Sequence, residues 1–124
     1  MPRFGTTSRK RLETADEQLQ VLFKEVVKYR DCKILEGHRS REKQDAAYNA
    51  TPQRSKVRWP NSKHNQSPAQ AVDVAPYPID WNDKDRFIEF AGFVMGVASQ
   101  MHISIRWGGN FKSFFDGPHF EIKK

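Results

Sequence analysis

The stretch AVDVAP at residues 71–76 constrains this chain more than any other. It is apolar except for Asp73, which sits between Val72 and Val74. A short apolar run of this kind reads as a buried strand. Burying an unpaired charge costs several kcal/mol, so an acid placed there calls for a partner or a metal. The loop NSKHNQSPAQ at 61–70, polar and proline-bearing, runs straight into that strand and presents His64.

The rest of the chain reads as a mixture of helices and strands. Leu12, Ala15, Leu19, Leu22, Phe23, Val26 and Tyr29 recur at three- and four-residue steps, which predicts one amphipathic helix with Ser8 as its cap. CKILEG at 32–37 is a strand, and SREKQDAAYNA at 40–50 is a helix capped by Ser40 and closed off by Pro52. Asn82 or Asp83 caps a long helix whose inner side carries Phe87, Ile88, Ala91, Val94, Met95, Ala98 and Met101. HISIRWG at 102–108 and GPHFEIKK at 117–124 alternate as strands. No regular strand–helix–strand rhythm appears, so the class is α+β, an antiparallel sheet covered by helices.

With 124 residues, the chain is long enough for one real core, and residues 1–124 are expected to form a single domain. The single cysteine, Cys32, rules out an intramolecular disulfide and reads as a small core residue. No apolar run approaches the ~20 residues of a membrane span, so no membrane insertion is expected. The N-terminal MPRFGTTSRKRLETADEQ lacks the apolar segment of a secretory signal. The expected place of synthesis is therefore the cytoplasm, with outside help for any export. A net charge of +6 favours anionic partners, nucleic acid or cell-wall polymer, without choosing between them.

The second chemical feature is FFDGPHFEI at 114–122. Asp116 and His119 flank a Gly-Pro turn, and on a strand His119 and Glu121 face one side while Phe120 and Ile122 face the other. Two histidines and an acid with one open position describe a catalytic rather than a structural zinc site, and a nearby carboxylate can move protons.

In this order, SKH…AVDVAP followed by DGPHFE resembles the zinc peptidases of peptidoglycan. These are the VanY-like D-Ala-D-Ala carboxypeptidases and the phage L-alanyl-D-glutamate endopeptidases, with the signature SxHxxGxAxD and a later ExxH or DxxH. The resemblance spans about residues 34 to 122 and implies a Hedgehog/DD-peptidase-like fold. It implies Zn2+ held by His64, Asp73 and His119, Asp116 as the catalytic carboxylate, and Arg39 holding the carbonyl or its developing oxyanion. Arg39 and Gln44 match the family's GxRxxxxQ segment and Ser62 matches the serine beside the substrate, which implies Gln44 and Ser62 as substrate-binding residues. Trp107, shortly before Asp116, is a candidate wall of the cleft. One departure is visible: His64 and Asp73 stand nine apart instead of seven, an insertion of two residues in NQSPAQ, with Ala69 in place of the glycine.

Taken singly, each of these residues has a structural reading. Asp73 can pair with Arg58 or Arg106, DGPH can be a hairpin corner, and His38, His102, Trp59 and Trp81 read as structural. Two other functions compete: a metal-dependent nuclease, for which RSKVRW at 54–59 is only a modest basic cluster, and a basic binding module, which needs no proton acceptor. The resemblance favours a phage endolysin-type L-alanyl-D-glutamate endopeptidase, with a D-Ala-D-Ala carboxypeptidase second. Its expected partners are peptidoglycan stem peptides rather than nucleic acid. It is expected to act as a monomer and to be released to the wall through a holin-type pore.

Overall fold

The computed structural model describes residues 2–112 and 114–123. Four α-helices, α1 (Thr6–Leu12), α2 (Glu17–Tyr29), α3 (Arg41–Asn49) and α4 (Lys84–Gln100), accompany four strands among the described residues. The strands β1 (Cys32–Glu36), β2 (Ala71–Pro76), β3 (Ile105–Trp107) and β4 (His119–Ile122) form one sheet in the order β1-β2-β4-β3, antiparallel throughout. Among the described residues, no helix is long and apolar enough to cross a membrane.

Alternation along the two inner strands divides the sheet into a packed face and a polar one. Val72 and Val74 of β2 and Phe120 and Ile122 of β4 join Leu19, Leu22, Phe23 and Val26 of α2 and Phe90, Ala91, Val94 and Ala98 of α4 in the core. Phe120 stands edge-on to Phe23 at 5.4 Å and to Phe90 at 6.3 Å, and is fully buried. Phe120→Ala is expected to destabilise the fold by about 3–5 kcal/mol, read as a lowered urea midpoint. The same alternation turns Asp73, His119 and Glu121 to the opposite face, with Asp73 directly across from His119.

Five local expectations are corrected. The predicted first helix is two: Asp16 caps α2 by accepting from the Gln18 N–H at 2.9 Å, while Ala15 pairs with Ala69 in an isolated bridge. A tertiary contact at Glu13–Asp16 thus overrides the helical period. Ser8 is no cap; it lies buried within α1, where its hydroxyl accepts from the Ile34 N–H at 3.2 Å. In α4, capped by Asp83, Ile88 is 43% exposed and Phe90 takes the buried place, because the stripe runs Phe87, Phe90, Ala91, Val94, Ala98. His102 starts no strand. At φ 59 it terminates α4, its N–H bonding Ser99 O and the Ile103 N–H bonding Ala98 O, the Schellman arrangement. β3 begins only at Ile105, and Lys124 of the predicted last strand lies outside the described residues. Trp81, expected to pack, is 61% exposed and stacks on Phe87.

Candidate metal centre and cleft

The site rests on the interior of the sheet. β2 presents Asp73, β4 presents His119 opposite it, and a short 3₁₀ turn at Lys63–Asn65 brings in His64. Ser62 caps that turn: its hydroxyl accepts from the His64 N–H at 3.2 Å, and Asn65 Oδ1 accepts from the Ser62 N–H at 3.1 Å. Arg39 N–H donates to His64 O at 2.8 Å, tying the turn to the segment after β1. The long spacing between His64 and Asp73 does not separate them. Gln70 N–H donates to Lys63 O at 2.9 Å and Ala69 N–H to Thr14 O at 3.0 Å, so the additional residues loop out between fixed ends.

His64 Nε2 lies 3.2 Å and His119 Nδ1 lies 3.3 Å from the same oxygen of Asp73, and one ligand atom from each residue falls within 4.8 Å of the others. Both imidazoles are oriented from behind. His64 Nδ1 donates to Gly37 O at 2.8 Å, and His119 Nε2 donates to Glu121 Oε1 at 2.7 Å. With each outer nitrogen committed as a donor, the inner nitrogen of each ring is the one left to face the site, the arrangement typical of ligating histidines. Two imidazole nitrogens and one carboxylate oxygen, with an open side toward the cleft, fit a divalent transition ion.

Asp116 completes the group. Its Oδ2 lies 3.9 Å from His119 Nδ1, and its backbone N–H donates to Gly108 O at 3.1 Å. A Cβ at Gly108 would fall 2.3 Å from Asp116 O and 2.9 Å from His119 Cβ, so only glycine lets β3 lead into this turn. A family model described as phage L-alanyl-D-glutamate peptidase matches residues 1–123. The chain belongs to that family. Its fold is also similar to the crystal structure of the Serratia marcescens L-Ala D-Glu endopeptidase ChiX. The TM-score is 0.79 at 27% identity, covering 98% of this chain and 90% of that one.

In this peptidase chain the cleft encloses about 620 Å³ and is lined by Arg39, Ser62, His64, Asp73, Asp116 and His119, among others. Arg39 reaches Asp73 Oδ2 at 3.5 Å and is held by Glu36 at 2.5 Å and by Gln44 Oε1 at 3.0 Å. Glu36 is available because the register slips between Ile34 and Glu36, setting Glu36 opposite Asp73. Asp73 finds its cationic neighbour in Arg39, not in Arg58 or Arg106.

Two of the expected substrate-binding residues stand outside the cleft lining. Gln44 is fully buried, its amide spent on Arg39, Asn65, Ser55 and the Val57 carbonyl. Trp107 is buried behind the Asp116 turn, where its indole N–H donates to Gly117 O at 2.7 Å. Glu121, Lys63 and Gly108 were not singled out by sequence reasoning. The alternation of β4 already set Glu121 beside His119, but its partner Lys63, at 3.1 Å, is remote in sequence.

Electrostatics follows from this packing. Burial works to raise the Asp73 pKa and is outweighed by His64 and His119, which hold it far below the ordinary carboxylate range. Asp116 goes the other way, raised first by burial and then by the charge of Asp73. His119 is lowered by burial but raised more by Asp73 and Glu121, to about 9. A raised histidine pKa stabilises the fold fully below its unfolded value near 6.5, and that stability is lost as pH rises through about 9. Chelated protein is therefore expected to lose urea resistance between those pH values. Metal-loaded protein should not show that loss, because ligation needs the neutral ring.

Proposed function

We propose that the chain is a zinc-dependent endopeptidase that cuts the L-alanyl–D-glutamate bond of peptidoglycan stem peptides. The observation that carries this reading is the convergence of His64, Asp73 and His119 on one point beside Asp116 in an open cleft. His64, Asp73 and His119 would hold the ion, which supplies Lewis acidity and lowers the pKa of a water toward about 7.

The remaining work falls to the chain's own residues. Asp116, outside the donor set and 34% exposed on its side chain, takes the proton of the attacking water. The water's oxygen forms its C–O bond as that proton leaves, and Asp116 then passes the proton to the amine nitrogen as the C–N bond breaks. Arg39, fixed by Glu36 and Gln44, offers its guanidinium to the developing oxyanion. Ser62 lines the cleft beside His64 and contacts the peptide, while Gln44 and Trp107 serve through Arg39 and the Asp116 turn.

Membership in a phage peptidase family favours the further proposal that a holin-type pore releases it to the wall; action as a monomer is proposed alongside. The +6 charge would help retain the enzyme on anionic peptidoglycan, so lysis should weaken as salt is raised.

Digestion of purified peptidoglycan, with the fragments read by mass spectrometry, tests the reading. New amino termini at D-glutamate are expected. Release of free D-alanine would reassign the chain as a carboxypeptidase, and intact muropeptides would overturn the peptidase reading.

A further inference from the structure

The cleft is lined by more cations than its acids can occupy. Arg39 and Lys63 are engaged with Glu36, Asp73 and Glu121, while Arg54, Lys56, Arg106 and Lys112 also face the lining. Among these four, Arg106 alone is on the sheet. It lies on β3 directly opposite Glu121, on the face that carries His119.

Glu121 is not its partner: Oε1 pairs with His119 at 2.7 Å and Oε2 with Lys63 at 3.1 Å. No carboxylate among the described residues lies within 4.0 Å of the Arg106 guanidinium. That guanidinium rests over the Phe111 ring at 4.7 Å, and Phe111 in turn packs against the His119 ring at 5.5 Å and the Phe114 ring at 5.4 Å. Arg106 is thus exposed, positioned by a strand and an aromatic face, and one ring away from a metal-site histidine. A guanidinium so presented matches a carboxylate in two-pronged geometry, which a lysine on a loop does not.

We infer that Arg106 is a carboxylate-recognition residue that binds the free α-carboxylate of the substrate's D-glutamate. The inference rests on the function proposed above and deepens it. D-glutamate continues the stem peptide through its γ-carboxyl, so its α-carboxylate remains free on the carbon bearing the scissile nitrogen. Cleavage at that nitrogen brings this carboxylate to the wall of the metal site. Stem peptides also carry a carboxylate at their C-terminal end, and the test separates the two sources.

Wild type and Arg106→Gln are assayed on three synthetic stem peptides: one with the free α-carboxylate, one amidated only there (D-isoglutamine), and one amidated only at the C-terminus. Wild type is expected to prefer the first over the second by roughly 10- to 100-fold in kcat/KM, mainly through KM. It should treat the first and third alike. Arg106→Gln should lose the preference, falling to the wild-type rate on the amidated peptide while leaving that rate and the melting temperature unchanged. Arg106→Lys should recover part of it. An unchanged preference in Arg106→Gln, an equal loss on both peptides, or discrimination against the C-terminal amide instead would overturn the assignment. Failure of wild type to cut any of the three overturns the endopeptidase reading itself, an outcome distinct from cleavage without discrimination.

Discussion

Asp116→Ala is expected to lower kcat on stem peptides by about 10²–10⁴-fold, with KM near the wild-type value and a full complement of bound zinc. Asp116 lies in the cleft but outside the His64–Asp73–His119 donor set, so its loss removes a proton carrier without dismantling the site. Burial and the neighbouring Asp73 raise its pKa above the ordinary aspartate value, toward the range in which a carboxylate both accepts and returns a proton. Asp116→Asn, which keeps the shape and abolishes the charge, should match the alanine variant. Retained activity in either variant, or loss of metal from both, would remove Asp116 from the role assigned to it.

Asp73→Ala has a different signature. Both imidazoles share one Asp73 oxygen, at 3.2 and 3.3 Å, so removing the carboxylate takes away a ligand and the anchor of the other two. Zinc binding should be lost, and activity should fall by at least about 10³-fold, because water activation disappears with the ion. Added zinc should not restore it. The apolar flanks Val72 and Val74 remain packed in the variant, so the far-UV circular dichroism spectrum should be that of the wild type.

How much of this was legible beforehand depends on whether the controlling contact is local. AVDVAP formed β2 with the predicted bounds, and the alternation of HFEI set Phe120 into the core and His119 and Glu121 on the opposite face. Ser40 capped α3 as its position announced, by accepting from Lys43 N–H. The split of the first helix was not legible from hydrophobic period alone, since its cause is the pairing of Ala15 with Ala69, far along the chain.

The site divides in the same way. His64, Asp73, Asp116 and His119 could be drawn from their order and spacing, and they do come together. The groups that hold them could not. Gly37 O behind His64, Lys63 on Glu121 and Glu36 on Arg39 depend on loop closure and on a register slip with no fixed spacing in the sequence. Gln44 shows the converse, because a motif position recognisable from the sequence proved to be a buried brace for Arg39 rather than a wall of the cleft. Cys32 matched its simple reading: burial pushes its thiol up to about 12, leaving an inert core residue.

A titration of zinc into chelated wild-type protein tests most directly for a metal-dependent reaction at His64, Asp73 and His119. Bound metal and cleavage of a stem peptide would be read on the same samples. A requirement for the ion predicts that cleavage is absent at the start, rises in proportion to bound zinc and reaches its plateau at one equivalent per chain. Full cleavage by the chelated protein, or a full equivalent bound with no cleavage gained, would contradict it.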